Sequence, residues 1–239
     1  MKRPMNSKLV QFGIFSKELS IEEQMVPYYG RHSCKMFIRG KPIRFGFKNW
    51  IICSPEGYPF KVIPYQGKEA IKSGQPLGSR VVNKLCEILQ DPERHEIFFD
   101  NFFTSFDLLE DLREKYLKAT GTIRKNRLGA CPVTPLTEMK RTERGIIDVC
   151  CSRNLCVVQW HDNQIVAMAS NNLQSSPTVK CNRYSKAHRS PVSVLQPQMI
   201  ASYNQFMGGV DLLDEFINNL RPCIGGKKWY WTPMINLFR

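Results

Sequence analysis

Residues 96–103 read EIFFDNFF. The run is apolar, aromatic and of strand length, which predicts a buried β-strand. Asp100 interrupts it, although five of the seven residues in IFFDNFF are Ile or Phe. A carboxylate in such surroundings is costly to bury unless it is paired or binds a cation. Asp100 is therefore either a functional acid or a strand-end Asp that caps the following turn. Downstream, Ser105 fits the N-cap of a helix over 106–115, with Phe106, Leu109 and Leu112 on one face. Residues 117–124, LKATGTIR, read as another strand. Upstream, 79–90, SRVVNKLCEILQ, sets Val82, Leu85, Cys86 and Leu89 at helical spacing, with Ser79 as its possible N-cap.

Further upstream, 18–24, ELSIEEQ, reads as a strand ending in acids. Residues 43–53, IRFGFKNWIIC, and 58–65, YPFKVIPY, read as partner strands around a turn at Glu56-Gly57, closed by Gln66-Gly67. The order is three strands in an antiparallel meander, helix, strand, helix, strand. That order predicts a mixed α/β fold. After Arg124 the pattern changes. Residues 146–151, 155–160 and 164–169 are three short strands, and 170–197, rich in Ser, Asn and Pro, reads as a loop. The stretch 128–197 thus reads as an inserted β-rich unit. Helices resume at 198–206 and, after Gly208-Gly209, up to Leu220. The glycine pair marks a kink or a close backbone approach. The chain stops just after a new apolar pattern, MINLF at 234–238, which predicts a truncated ending.

The 239 residues are enough for one large domain, or one domain with an insertion, and 42% hydrophobic residues argue against a mainly disordered chain. The 34 Lys and Arg outweigh 21 Asp and Glu, for a net charge of +13. Such an excess favours a polyanion such as nucleic acid. No membrane span and no signal peptide are expected. The nine cysteines are odd in number and irregularly spaced, which predicts reduced thiols inside a cell rather than a disulfide framework. Cys156 with His161 and Cys181 with His188 are isolated pairs, each read as ordinary Cys and His rather than half a zinc site. In 227–231, KKWYW, the aromatics either stack on nucleic-acid bases or pack beneath the sheet. Packing with a basic rim is the reading favoured here.

Several acids accompany Asp100. Glu22 and Glu23 end the first strand, and alternation turns one of them inward. Asp211 and Asp214 lie at i and i+3 on the last helix, beside Glu215 and off the apolar face of Val210, Leu213, Ile217 and Leu220. The bland reading is that acids in a first helical turn suit the macrodipole. Carboxylates from two strands and a helix in a basic protein suggest two hard divalent cations about 3.5–4 Å apart, clamping a phosphodiester reaction.

The blocks IEEQMVPYYGRHSCKMFIRGKPIRFGFK (21–48), YQGK (65–68), FDNFFTS (99–105), ATGTIRKNR (119–127) and YNQFMGGVDLLDEF (203–216), in that order, resemble the piggyBac transposases and proteins derived from them. The resemblance implies a ribonuclease-H-like core in two parts, 1–127 and 198–239, around the inserted unit at 128–197. It implies catalytic, metal-holding acids at Asp100 and Asp211, a further acid at Asp214, and two Mg²⁺ or Mn²⁺ ions. Arg124 and Arg127 fall where the family contacts DNA. Partners would be transposon ends and TTAA target DNA, with a possible homodimer, a nuclear location and no small-molecule substrate. The departure is at the first acid. The family pattern is Ile-Asp-Glu, whereas this chain has Ile21-Glu22-Glu23. Glu22 keeps the charge but moves the carboxylate by on the order of 1 Å, and such a misplacement can cost about a hundredfold in rate. The expectation is a transposase core with impaired strand transfer. The alternative is a domesticated chain that binds DNA or a partner without catalysis.

Overall fold

The computed structural model describes residues 2–40, 42–67, 74–185, 189–220, 228, 230 and 231. In chain order the elements are α1 (Lys2–Phe12), β1 (Glu18–Pro27), β2 (Met36–Phe37), β3 (Phe45–Cys53), β4 (Pro59–Pro64), α2 (Leu77–Cys86), β5 (Glu96–Phe99), α3 (Phe106–Glu114), β6 (Lys118–Thr122), α4 (Leu136–Met139), β7 (Ile147–Cys151), β8 (Cys156–His161), β9 (Ile165–Ser170), β10 (Thr178–Ser185), β11 (Ser190–Pro197), α5 (Gln198–Phe206) and α6 (Gly209–Leu220). They form two compact units, Met1–Gln90 with Gly208–Arg239, and Asp91–Met207.

The first unit is built on the predicted meander. β1 and β3 pair antiparallel, with Glu22 opposite Ile51 and Gln24 opposite Asn49. On the other side of β3, β4 pairs with Asn49–Cys53 and the short β2 with Phe45 and Gly46. Because opposite residues in an antiparallel pair share a face, Ser20, Glu22 and Gln24 lie on one face with Asn49, Ile51 and Cys53. Val210 and Leu213 of α6 and Met5 and Leu9 of α1 pack there, against Ile51, Cys53 and Val62. Nothing in the sequence reading anticipated α1. Its anchor is tertiary: the Asn6 side chain accepts from the Val62 N–H and donates to the Val62 carbonyl, which satisfies both backbone groups of that residue. Helix α2 starts earlier than expected, with Pro76 at its N-cap, and Ser79 is buried inside it rather than capping it. Its predicted apolar residues Val82, Leu85 and Cys86 are buried, as is Leu89 beyond its end.

In the second unit β5 and β6 are parallel. β9 joins β6 antiparallel, followed by β8 and β7. The strands at 146–151, 155–160 and 164–169 therefore extend the sheet that holds β5. The strand at Asp100 is shorter than its apolar run. It ends at Phe99, because the Asp100 carbonyl accepts from the Phe103 and Thr104 N–H groups and starts a turn. Ser105 caps α3 as predicted, its hydroxyl accepting from the Leu108 N–H at 3.3 Å. The expected loop at 170–197 is corrected. Thr178–Ser185 and Ser190–Pro197 form an antiparallel hairpin. Val192 and Val194 of this hairpin pack with Trp160, Met168, Met199 and Ile200. Polar residues dominate the composition there and obscured that alternation.

The expectation of reduced thiols rather than a disulfide framework is corrected for one pair, while the other described cysteines are free. Cys151 and Cys156 face each other across the β7–β8 hairpin and form a disulfide, with their Cα atoms 4.1 Å apart. Of the two Cys–His pairs, Cys156 with His161 holds no shared site, as expected for ordinary residues. Cys156 is in that bridge, and the His161 Nδ1 lies 3.1 Å from the Thr142 hydroxyl. Cys181 donates to the Val194 carbonyl, while His188 lies outside the described residues. So do Lys68, Lys227, Trp229 and the MINLF pattern. No described helix is long and apolar enough to cross a membrane.

Candidate acidic site and its relatives

Three of the singled-out acids, Glu22, Asp211 and Asp214, belong to the first unit. Their arrangement follows from how α6 meets β1. Gly208 has φ +104, a conformation that favours glycine. Gly209 then lies against the β1–β3 surface. A Cβ there would meet the Ser54 carbonyl oxygen at 2.2 Å and the Ser20 hydroxyl at 2.8 Å. This is the close approach that the glycine pair predicted. It brings the N-terminus of α6 onto Glu22, whose Oε2 accepts from the Val210 N–H at 3.4 Å. The first N–H groups of a helix have no intrahelical acceptor, and a carboxylate there also meets the positive end of the macrodipole. Glu22 thus serves as a helix cap delivered from a neighbouring strand.

Two residues along β1, Gln24 extends the same seam. It is 2% exposed. Its Nε2 donates to Asp214 Oδ1 at 2.8 Å, and its Oε1 accepts from Asn49 Nδ2 at 3.0 Å. The relay Asn49–Gln24–Asp214 holds one carboxylate oxygen of α6 against the sheet. Sequence reasoning missed Gln24 and Asn49. The available signal was strand alternation, which places Gln24 on the face of Glu22. Glu23, Asp211, Asp214 and Glu215 line a cavity of about 390 Å³ together with Asn218 and Asn219. Asp211 is exposed in the first turn of α6. The apolar face of α6 is narrower than expected. Val210 and Ile217 are buried, whereas Leu220 is 73% exposed.

Cys53 sits under this face. Burial pushes its thiol well above the usual range, and the negative charges of Glu22, Glu56 and Asp214 add to the effect. A thiolate is the reactive form. An alkylating reagent that labels the half-buried Cys34 is therefore expected to leave Cys53 unlabelled in the native protein. Mass-spectrometric mapping of the labelled peptides checks this, and early labelling of Cys53 would contradict it.

Asp100 belongs to the second unit. Its Oδ1 accepts from the Phe102 N–H at 2.9 Å, the capping geometry that the bland reading offered. Both arginines singled out by the sequence converge on the same turn. Arg127 Nη1 donates to the carbonyls of Asn101, Phe102 and Thr104 at 3.1, 3.0 and 2.7 Å. The exposed Arg124 donates through Nε to Asn101 Oδ1 at 2.8 Å. The two cations therefore fix the turn that follows Asp100.

The carboxylates are hard oxygen donors of the type Mg²⁺ takes. Within the first unit two of them already have protein partners. Among the described residues no group of three or more His, Cys, Asp or Glu gathers to hold a metal. Glu22 is turned to the α6 backbone and Asp214 to Gln24.

The fold is that of a class, the ribonuclease-H-like transposase core. The cryo-EM structure of the piggyBac transposase synaptic complex with hairpin DNA matches with a TM-score of 0.78 and 27% identity, over 97% of this chain and 47% of that one. Residues 3–239 match the model of the family described as Transposase IS4, and the chain belongs to that family. Human PiggyBac transposable element-derived protein 3 is 40% identical over 245 residues, which cover 99% of this chain and 41% of that protein. Human PiggyBac transposable element-derived protein 2 is 34% identical, over 95% of this chain and 39% of that protein. The chain therefore spans about two fifths of the length of these curated relatives. The α/β, ribonuclease-H-like fold and the piggyBac resemblance are borne out.

Proposed function

We propose that this chain is a transposase-derived core that engages DNA and has impaired strand transfer. The observation that carries the reading is the Glu22 carboxylate on the Val210 N–H. The resemblance asks Glu22, Asp100 and Asp211 to share a pair of Mg²⁺ or Mn²⁺ ions, with Asp214 assisting. Glu22 is instead occupied as the cap of α6, and its extra methylene is what a longer reach from β1 supplies. The net charge of +13 and the exposed Arg124 beside the Asp100 turn support a DNA partner. In this reading Arg127, with three backbone carbonyls already on its guanidinium, orders the turn. The finer parts rest on the resemblance alone: TTAA target DNA, transposon ends, a homodimer, a nuclear location and 128–197 as the inserted unit.

The test is DNA affinity across a salt series, read by fluorescence anisotropy on a duplex carrying TTAA. The native chain is expected to bind with a steep salt slope. Arg124→Gln should flatten that slope by about 1 if the side chain contacts a phosphate. An unchanged slope would remove Arg124 from the interface, and a native chain that does not bind DNA would overturn the reading.

A further inference from the structure

Two cysteine pairs flank β7, one on each face. Cys151 is bonded to Cys156 across the β7–β8 hairpin. One residue earlier, strand alternation turns Cys150 to the opposite face, the face of Asp148. There Asp148 Oδ2 accepts from the Thr134 N–H at 2.6 Å, so the segment from Cys131 to Thr134 lies over that face. The Cys131 thiol has Cys150 and Asp148 as its titrating neighbours on this side. Both cysteines are free thiols and half-buried. Among the described residues β7 is the last strand of its sheet and pairs with β8 alone, so a small reagent can approach from the open side.

We propose that Cys131 and Cys150 form a dithiol site that a low-molecular-weight disulfide, such as oxidised glutathione, converts to a second protein disulfide. The Cys150 thiolate attacks one glutathione sulfur, the S–S bond breaks and one glutathione thiolate leaves. The Cys131 sulfur then attacks the Cys150 sulfur and displaces the second glutathione thiolate. The two protein protons end on the two departing thiolates, so the protein loses two electrons and the oxidant gains two. The order of attack follows from the surroundings of Cys131. Burial first, then Cys150 and Asp148, push its thiol up to about 11. It is the poorer first nucleophile, and proximity to the mixed disulfide compensates in the second step. The new bridge ties the segment at 131–134 to the open edge of the sheet and closes the chain between them.

The experiment incubates the native chain with graded ratios of oxidised to reduced glutathione, blocks remaining thiols with N-ethylmaleimide, and maps the peptides by mass spectrometry. The expected result is a linked Cys131–Cys150 peptide, with both thiols lost together at one midpoint and recovered by dithiothreitol. Cys131→Ser should stop the sequence at a glutathione adduct on Cys150, with its melting temperature confirming that it is folded. If that variant does not fold, the linked peptide in the native chain decides alone. The proposal is overturned if both thiols stay alkylated at a ratio that modifies Cys34, or if each carries its own glutathione without a linked peptide.

Discussion

Gly209→Ala is expected to destabilise the chain by about 1–3 kcal/mol. Helix propensity argues the other way, since alanine inside a helix is favoured over glycine by roughly 0.5–1 kcal/mol. Contact decides the sign. The new Cβ would lie 2.2 Å from the Ser54 carbonyl oxygen, a backbone atom that cannot rotate aside, and 2.8 Å from the Ser20 hydroxyl. Relieving that overlap lifts the start of α6 off β1. The Glu22–Val210 and Gln24–Asp214 bonds then lengthen together. Urea unfolding of the two forms measures the cost. A loss below about 1 kcal/mol would mean that α6 is not seated on β1 as described.

The second large effect concerns Gln24. Gln24→Leu keeps most of the volume but leaves the buried Asn49 amide without the acceptor it has here, and removes a donor from Asp214. An unmet buried polar group and a lost bond to a charged partner together cost about 2–4 kcal/mol. Gln24→Glu makes a sharper test because it adds a pH signature. Two carboxylates within hydrogen-bond distance cannot both ionise cheaply, so the pair's apparent pKa rises on folding. A group whose folded pKa is raised contributes stability at low pH and loses it as pH climbs through that value. The variant should therefore approach native stability near and below the ordinary carboxylate pKa of about 4 and fall away as pH climbs from there through the raised value, as melting temperatures across pH would show. A pH-independent deficit would mean that the new carboxylate does not face Asp214.

The parts of the fold legible in the sequence were those whose signals are local. The β3–β4 hairpin announced itself through aromatic and β-branched runs around Glu56-Gly57, α3 through Ser105, and the α6 approach through Gly208-Gly209. What escaped depends on distant partners. Helix α1 is anchored by a side chain reaching Val62, and β10–β11 hides two apolar residues in a polar stretch. The same division holds at the candidate site. The acids were conspicuous as residue types, and Asp100 stood out in its aromatic run. Their hydrogen-bond commitments were not visible, because Val210 and Gln24 enter through backbone geometry and through a neutral side chain with no chemical signature of its own.

The central claim is that Glu22 acts as the cap of α6 at the expense of strand transfer. Its most direct test is nicking of supercoiled DNA carrying TTAA sites, with Mg²⁺ or Mn²⁺ in solution, by the native chain, Glu22→Asp and Asp100→Asn. The account predicts that native nicking stays at the level of Asp100→Asn, and that any gain appears in Glu22→Asp. Native nicking that disappears in Asp100→Asn would contradict it, because the site would then work with glutamate at position 22.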